Sequence, residues 1–556
     1  MLLFAVFDDQ GPAKDWPLRH AHLLGGGSIV VPGEVRFDKG LIRCDPPDGA
    51  AALSIQFPVP TTDGVLTGHH LITLRTALLP PRAVPYLLSL ELARHRLMEI
   101  LNKLEEWAFF DLPAEDPIMR MVDETRQAFT SALLLQKTGA GSAAGWYTRE
   151  ADHAARLALA TGLQASEALA LRQSQLQHTR RISGDMARAA ALQPPANALT
   201  DFEARASRAA VLGSPGVLLP EMPKVGCAVN PAVFDPALHK IVTDACDFIN
   251  LPMRWVDMEP IEGKYAFAKT DRWIEWAVTK AKLPVSAGPL IELRKAALPD
   301  FLYIWEHDYE TLRDVVVEHC KTLVTRYRRT VASWTVASGL PTGATFSFSY
   351  EQIIDLTRTC VLLVRKLQPA ARVVVEIAQP WGEYMAGHSS GARTIQPIVY
   401  AELLNQLGLN IDALGIRVQM GQNVPGRSTR DIMATSAMLD RFAALDKPLA
   451  ITMLGTPSKP APSPPPQTNA FPPDPGHWRQ PWSPNAQADW LRAFSAMIAG
   501  KPYIASICWQ ELYDMEPGGE MSGGGLASPI GQPKPAAAAL ADLRTTLRDK
   551  RPKLIP

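Results

Sequence analysis

The sequence is poor in the features that mark membrane proteins and nucleic-acid-binding proteins. Its 56 basic and 56 acidic side chains cancel to a net charge of zero, so no charge surplus indicates nucleic acid or an anionic membrane. No apolar run reaches the roughly 20 residues that a membrane-spanning helix needs. Residues 1–9 lack the basic start and the apolar length of a signal peptide. We therefore expect a cytoplasmic protein with neither a nucleic-acid partner nor a membrane partner.

Cysteine and histidine are also scarce, and their spacing does not indicate a metal site. The six cysteines show no CxxC spacing and lie mostly in apolar segments, which is typical of reduced core residues. The 12 histidines form no HxxxH or HExxH pattern. No P-loop or GxGxxG motif follows a predicted strand. The sequence therefore predicts a protein that uses no metal ion and no other cofactor.

Residues 1–83 have the pattern of a small β domain. Short runs with strand character at residues 27–31, 52–57 and 68–74 are separated by Gly, Pro and Asp turns. This pattern predicts a β-sandwich that is similar in outline to carbohydrate-binding modules. A packing domain without a ligand explains the same pattern, because no group of aromatic side chains stands out as a platform for sugars.

Residues 84–213 change to a helical pattern. Apolar side chains recur at helical spacing between residues 86 and 107, and the stretches 119–135 and 148–177 repeat this. We expect long antiparallel helices that brace the two flanking regions or provide the contact of a homo-oligomer. A scaffold protein that works through this helical segment is a further function that the pattern leaves open.

Residues 214–556 alternate between strand and helix patterns. Eight apolar runs have strand character, and amphipathic helices such as residues 311–327 lie between them. Eight such units predict an α/β fold, a (β/α)8 TIM barrel, preceded by the β-sandwich and the helical segment. The predicted strands are residues 225–230, 248–254, 285–293, 330–337, 372–378, 413–420, 448–454 and 503–511.

One predicted loop, residues 455–485, is rich in Pro and has no strand or helix pattern. It follows the seventh predicted strand, so it belongs to the face on which barrel enzymes hold their active sites. It also contains Trp478 and Trp482. A long loop at this place predicts a lid or a wall of a substrate subsite, and a disordered insertion is the alternative.

Residues 248–271 read FINLPMRWVDMEPIEGKYAFAKTD, a strand with a polar tip, a turn and the start of a helix. This stretch resembles the second-strand region of the family 10 glycoside hydrolases, the endo-β-1,4-xylanases. The resemblance continues from about Pro223 to the C-terminus. It implies a barrel that hydrolyses glycosidic bonds with two glutamates, an acid/base at the end of strand four and a nucleophile at the end of strand seven.

Both family glutamates are missing at the matching positions of this chain. The fourth predicted strand ends in WTVASG, so Gly339 stands where the acid/base is expected. The seventh predicted strand ends in TMLG, so Met453 replaces the nucleophile. A glycosidase with this sequence therefore needs relocated carboxylates.

Acidic side chains elsewhere on the predicted top face offer replacements. Glu306 and Glu383 each lie in a Trp-containing turn outside regular structure, and we predict that these two are catalytic. An indole next to a carboxylate suits a sugar, because the ring stacks on the pyranose while the acid bonds hydroxyls or moves a proton. The predicted substrate-binding residues are Arg254, Trp255, Trp305, Gln379, Trp381, Trp509, Glu511 and Asp514.

Several acids also have structural explanations. Asp308 is a good N-cap for the helix that follows it. Glu292 and Glu376 lie within predicted strands, where each can pair with an arginine, and Glu511 and Asp514 can hold the last loop in place. The sequence thus predicts a glycoside hydrolase for a small glycoside or oligosaccharide. A non-catalytic carbohydrate-binding barrel is the alternative.

Overall fold

The chain folds into a β-rich N-terminal region, a helical segment and a barrel. The structure is a computed structural model, and it describes residues 1–8, 10–46, 49–61, 68–136, 146–191, 216–342, 345–386, 394–460, 473–515 and 519–554. Within these ranges, no helix combines the length and the apolar character that crossing a bilayer requires. The order of the three regions is the predicted one.

The N-terminal region is built from two four-stranded sheets and a short hairpin. Its strands are β1 (Leu2–Ala5), β2 (Phe7–Asp8), β3 (Gly11–Pro12), β4 (His22–Leu24), β5 (Val30–Val31), β6 (Glu34–Asp38), β7 (Leu41–Asp45), β8 (Ala52–Pro60), β9 (His69–Arg75) and β10 (Tyr86–Leu87). The strand orders are β10-β1-β7-β6 and β5-β4-β8-β9. Side chains of both sheets, including Phe4, Ile42, Ile55 and Phe57, pack into one core. This is the predicted β-sandwich.

Long helices connect the β-sandwich to the barrel. They are α1 (Leu88–Glu106), α2 (Pro117–Leu135), α3 (Arg149–Ile182) and the shorter α4 (Asp185–Ala191). The first half of α3, including Ala155 and Leu159, packs into the core of the β-sandwich. Its second half, including Ala165 and Leu169, packs into the core of the barrel. Helix α3 therefore contributes side chains to both cores, and the bracing role and the homo-oligomer contact of this segment both stay predictions.

Parallel strands close the last region into a barrel. They are β11 (Lys224–Ala228), β12 (Phe248–Leu251), β13 (Val285–Ala287), β14 (Ile291–Glu292), β15 (Val331–Ser338), β16 (Arg372–Ile377), β17 (Ala413–Gln419), β18 (Leu449–Gly455) and β19 (Ile504–Trp509). β13 and β14 are two pieces of the third barrel strand, and both pair with β15. β19 pairs with β11 and closes the ring. The predicted (β/α)8 barrel is confirmed, and its eight strands lie where the sequence predicts them.

Several helices of the barrel begin at a residue whose side chain caps the helix. They are α5 (Pro236–Ala245), α6 (Trp255–Met258), α7 (Ala268–Glu275), α8 (Tyr309–Tyr327), α9 (Tyr350–Leu367), α10 (Pro397–Gln406), α11 (Ile432–Ala443), α12 (Pro484–Gly500) and α13 (Pro535–Arg548). The Asp308 carboxylate accepts the backbone N–H of Thr311 at 3.1 Å and caps α8, as predicted. Ser349 and Gln352 form a capping box at the start of α9.

Candidate active site

A cavity of about 250 Å³ lies at the C-terminal ends of the barrel strands. Residues that follow β11, β12 and β19 line it, together with β14 and Met453 of β18. The charged side chains of its wall are Arg254, Glu292, Arg294, Glu511 and Glu520. Enzymes with this fold hold their chemistry on this face. We call this space the mouth cavity.

A buried ion network forms part of the wall of the mouth cavity. Arg417, in the middle of β17, pairs with Glu376 of β16, and its Nη2 lies 3.1 Å from Oε1 of Glu292. Arg294 contacts the same Glu292 oxygen at 2.6 Å and contacts Glu520 at 2.7 Å. Burial opposes ionisation of Glu520, but the guanidiniums around it outweigh burial and lower its pKa. The network therefore presents fixed carboxylates to the mouth cavity.

Glu511, directly after β19 and Gln510, has a different environment. Its Oε1 accepts the backbone N–H of Glu520, whereas its Oε2 is enclosed and has no hydrogen-bond partner among the described residues. Burial, with a smaller contribution from the Glu520 carboxylate, raises the pKa of Glu511 to about 8. The Glu511 carboxyl therefore keeps its proton at neutral pH. A protonated carboxyl near a fixed carboxylate is an arrangement that acid–base enzymes use.

The positions that match the family glutamates offer no carboxylate. Gly339 follows β15 with a φ of 65°, a left-handed backbone conformation that glycine adopts without strain. Met453 lines the mouth cavity. Next to it, the Gln419 amide donates to the side-chain oxygen of Gln510 at 2.7 Å. An amide pair and a thioether thus occupy the side of the mouth where the family pattern places its nucleophile.

Glu383, one of the two predicted catalytic residues, lies against the β-sandwich rather than in the wall of the mouth cavity. Its carboxylate pairs with Arg430 and accepts the backbone N–H of Gly426 at 2.5 Å. Burial alone would raise the pKa of Glu383, but Arg430 and His22 lower it to about 2. The Arg430 guanidinium also lies 4.0 Å from the centre of the Trp381 ring. Glu383 and Trp381 are thus partners of one buried arginine.

The other residues predicted in the same turns also lie outside the wall of the mouth cavity. The Gln379 side chain lies beside Gly426, and its buried Oε1 has no partner among the described residues. Trp305 ends a 3-10 turn, Asp300–Trp305, and packs against the barrel core. Glu306 is exposed and contacts the exposed His307 at 3.1 Å. The contacts of Glu306 and Glu383 therefore do not bring these two predicted catalytic residues together.

Three more predicted substrate-binding residues have partners inside the protein. Trp255 is buried in α6 and donates its indole N–H to Glu259 at 2.9 Å. Trp509 is fully buried at the end of β19. Asp514 accepts from the Lys534 ammonium at 2.8 Å, which is the loop-holding role that the sequence allowed. These contacts use the polar atoms that would otherwise face a sugar.

The mouth cavity brings two predicted site residues, Arg254 and Glu511, together with residues that the sequence analysis did not place in a site. Arg417 and Glu520 were not identified, and Glu292 was considered only as a strand residue. A signal was present in β17, whose residues are all buried, because an arginine inside a barrel strand requires carboxylate partners. Across the described ranges, no three His, Cys, Asp or Glu side chains are arranged to hold a metal ion.

The described part of the Pro-rich loop packs on the N-terminal half of the protein. Residues 461–472, which include the run Pro464-Pro465-Pro466, lie outside the described residues. Trp478 is buried and donates its indole N–H to Glu167 of α3 at 2.7 Å. His477 and Leu71 of β9 exchange two backbone hydrogen bonds, each of 2.9 Å. This part of the loop holds the barrel against the β-sandwich, and a lid formed by the remaining residues stays a prediction.

Comparison with known proteins identifies relatives of the barrel. The model of a family described as "Glycosyl hydrolase family 10" matches residues 219–471. A relative from Agaricus bisporus, described as "Endo-1,4-beta-xylanase", is 24% identical over 238 residues, which are 40% of this chain and 65% of the relative. The chain therefore spans a little less than two thirds of the length of that relative.

Solved structures of family 10 proteins are also similar. The structure of GH10 from Paenibacillus barcinonensis is 20% identical, with a TM-score of 0.43, and the match covers 58% of this chain and 94% of that chain. Native xylanase 10B from Thermotoga maritima is 17% identical, with a TM-score of 0.42, and the match covers 59% of this chain and 95% of that chain. In its barrel, over residues 219–471, the chain resembles the family 10 glycoside hydrolases.

Proposed function

We propose that the protein is a glycoside hydrolase that acts on a small glycoside or oligosaccharide in the mouth cavity, with Glu511 as its proton donor. One observation carries this proposal. The mouth cavity contains both Glu511, whose burial raises its pKa to about 8, and Glu292, whose carboxylate contacts two guanidiniums. The family resemblance over residues 219–471 supports the reaction class.

Glycoside hydrolysis needs one carboxyl group that gives a proton and a second that stays ionised. The Glu511 carboxyl keeps its proton up to about pH 8 and can pass it to the oxygen of the leaving group. Arg294 and Arg417 both contact Oε1 of Glu292, and Oε2 accepts no hydrogen bond from the described residues. Oε2 is therefore the atom that can face the positive charge developing at the anomeric carbon.

The size of the mouth cavity supports a small substrate. Its volume of about 250 Å³ lies below the range of about 300–1,000 Å³ that is usual for ligand pockets. Such a space suits one sugar unit better than a long polymer segment. Arg254 lines the same cavity, and among the described residues only Asp257 contacts its guanidinium, at Nε and 2.6 Å. The other N–H groups of the planar Arg254 guanidinium are suited to a pair of sugar hydroxyls.

A carbohydrate-binding barrel without catalysis is the second candidate. Met453 and the Gln419–Gln510 amide pair make one side of the mouth neutral, at the place where the family pattern has its nucleophile. A barrel of this kind would bind a sugar through Arg254 and leave the glycosidic bond intact. Turnover measurements distinguish the two candidates directly.

The test is a panel of aryl glycosides and xylo-oligosaccharides with the full chain and with three variants, Glu511→Gln, Glu292→Gln and Glu306→Gln. We expect the first two to lower kcat/KM by about 10²–10⁴-fold, the usual contribution of general acid–base catalysis. Glu306→Gln is the matched control, because it makes the same chemical change at an exposed residue outside the mouth cavity.

The outcomes separate the alternatives. Full activity in Glu511→Gln would remove Glu511 as the proton donor, and loss of activity in Glu306→Gln alone would restore that residue to the site. Sugar binding by calorimetry without turnover of any glycoside would favour the carbohydrate-binding barrel. Urea unfolding of each variant shows whether lost activity reflects lost structure.

A further inference from the structure

A second cavity, of about 140 Å³, lies between the β-sandwich, α1 and the barrel. Strands β8 and β9 form one side of it, His95, Arg96 and Glu99 of α1 form another, and α11 with the turn at Trp381 closes it. It is separate from the mouth cavity, with which it shares no lining residue. We call it the interdomain cavity.

The wall of the interdomain cavity contains four guanidinium groups, and two of them have carboxylate partners. Arg96 holds Asp431 through two contacts, at 2.7 and 3.1 Å, and Glu99 at 3.0 Å. Arg430 pairs with Glu383, behind the wall. The two carboxylates in the wall, Glu99 and Asp431, are thus both in contact with Arg96.

The other two guanidiniums, those of Arg75 and Arg441, are without a carboxylate within 4 Å among the described residues. Arg75 of β9 donates through Nε to Nε2 of His95 at 2.7 Å and through Nη1 to the Ser28 hydroxyl. Arg441 of α11 donates through Nη1 to the carbonyl oxygen of Ser28 at 3.3 Å. All of these acceptors are neutral, so neither guanidinium has a carboxylate in direct contact, although the Glu99 carboxylate is near enough to raise the pKa of Arg75.

A partly buried cation without a counter-charge is costly. Burial lowers the pKa of Arg75 and, together with Arg75 itself, lowers the pKa of Arg441. His95 accepts the Arg75 hydrogen bond through Nε2, so it is neutral and adds no negative charge. Arg75 and Arg441 thus line one cavity and both donate to Ser28, and neither has a carboxylate in direct contact among the described residues.

We propose that the interdomain cavity binds one small oxyanion, of the size and charge of inorganic phosphate, between Arg75 and Arg441. A volume of about 140 Å³ has room for about five water molecules at roughly 30 Å³ each, which suits a tetrahedral oxyanion and excludes an oligosaccharide. A guanidinium can donate two parallel hydrogen bonds to two oxygens of such an ion. Because Arg75 belongs to the β-sandwich and Arg441 to the barrel, the bound ion joins the two regions.

The test is calorimetric titration of inorganic phosphate, sulfate and acetate into the full chain, in chloride buffer at constant ionic strength. We expect phosphate and sulfate to bind with one ion per chain, and acetate to bind at least about ten-fold more weakly. Saturating phosphate should raise Tm by a few degrees, because the ion binds the folded state only. Absence of saturable phosphate binding up to tens of millimolar, or equal binding of acetate, would overturn the proposal.

Substitutions locate the site. Arg75→Gln and Arg441→Gln should each weaken phosphate binding by roughly ten- to a hundred-fold, the usual effect of losing a charge-assisted hydrogen bond. Arg126→Gln, which changes an exposed arginine paired with Asp123 on α2, is the matched control and should bind as the parent does. If Arg75→Gln does not fold, the partly exposed Arg441 still allows the test. Parent-like phosphate binding by Arg441→Gln would assign the ion to another place.

Discussion

Glu511 and Glu383 have similar surroundings in the sequence and opposite ones in the structure. Each follows a tryptophan by two residues, in Trp509-Gln510-Glu511 and in Trp381-Gly382-Glu383. Burial favours the protonated form of both. The pKa of Glu511 rises to about 8, however, whereas the pKa of Glu383 falls to about 2.

The difference comes from one counter-charge. Glu383 meets the Arg430 guanidinium, so its charge is balanced inside the protein. Among the described residues, Glu511 meets no guanidinium; backbone N–H groups lower its pKa in part, but burial and the Glu520 carboxylate outweigh them. Glu383 is therefore suited to a structural ion pair, and Glu511 is suited to give a proton. The predictions below test this contrast, beginning with the largest expected effect.

Removing the counter-charge should make Glu383 resemble Glu511. Arg430→Met leaves the buried Glu383 carboxylate unpaired, and we expect a loss of about 3–5 kcal/mol in the free energy of unfolding at pH 7. Without Arg430, burial should raise the pKa of Glu383. The variant should therefore regain part of the lost stability as the pH falls, because the protonated carboxyl needs no counter-charge. Urea unfolding at several pH values measures both effects. A loss below about 1 kcal/mol would show that Arg430 does not control Glu383.

The pH dependence of stability should reveal Glu511. Its pKa is raised from 4.5 to about 8, so between these values the folded state holds a proton that the unfolded state has released. Stability from this group is present below about pH 4.5 and is lost as the pH rises through 8, by on the order of a few kcal/mol. Glu511→Gln should lack this decline.

Urea unfolding at pH 5, 6.5 and 8 compares the parent with Glu511→Gln. If the free energy of unfolding changed with pH in the same way in both proteins, Glu511 would have an ordinary pKa. Glu383 contributes in the opposite direction, because its pKa is lowered from 4.5 to about 2. Its contribution is present above about pH 4.5 and is lost as the pH falls towards 2, so it does not interfere in the range measured.

Loss of the Trp381 contact with Arg430 should reduce stability less than loss of the ion pair between Arg430 and Glu383. Trp381→Leu removes a buried cation–π contact, and we expect a loss of about 2 kcal/mol in the free energy of unfolding. Because Trp381 lies outside the wall of the mouth cavity, sugar affinity should stay unchanged. A large loss of sugar affinity in a stably folded Trp381→Leu would return this residue to the substrate-binding set that the sequence predicted.

Glu306 should show the smallest effect of the series. It is exposed and contacts only the exposed His307, so Glu306→Gln should change the free energy of unfolding by less than about 0.5 kcal/mol. Activity should also be unchanged. Chemical unfolding and the glycoside panel measure the two quantities, and a selective loss of kcat would contradict the proposed site.

The fold was predictable because its signals are local. Apolar runs of strand length separated by amphipathic helices give the eight barrel strands, and the Asp308 cap can be recognised from a few neighbouring residues. The N-terminal sandwich was harder, because β1 and β7 carry weaker patterns and pair with strands that are distant in sequence. These strands were missed, although the sheet type was predicted correctly.

The site was less predictable because its signals are not local. Trp-X-Glu describes Glu383 and Glu511 equally well, and only Arg430, almost 50 residues beyond Glu383, decides which one stays ionised. Arg417 could have been noticed as a charge inside an apolar strand. Its partner Glu520, however, reaches it through a loop that folds back over the mouth. Such contacts depend on tertiary structure and leave no pattern in the sequence.

Helix α3 has a consequence for how the barrel can be studied. Its 34 residues extend about 50 Å at 1.5 Å per residue, and its second half buries Ala165, Leu169 and Ala170 in the barrel core. A shortened protein that starts at residue 216 would leave this contact surface of the barrel bare. Such a fragment should self-associate or precipitate, so the barrel is best expressed with the first 215 residues attached.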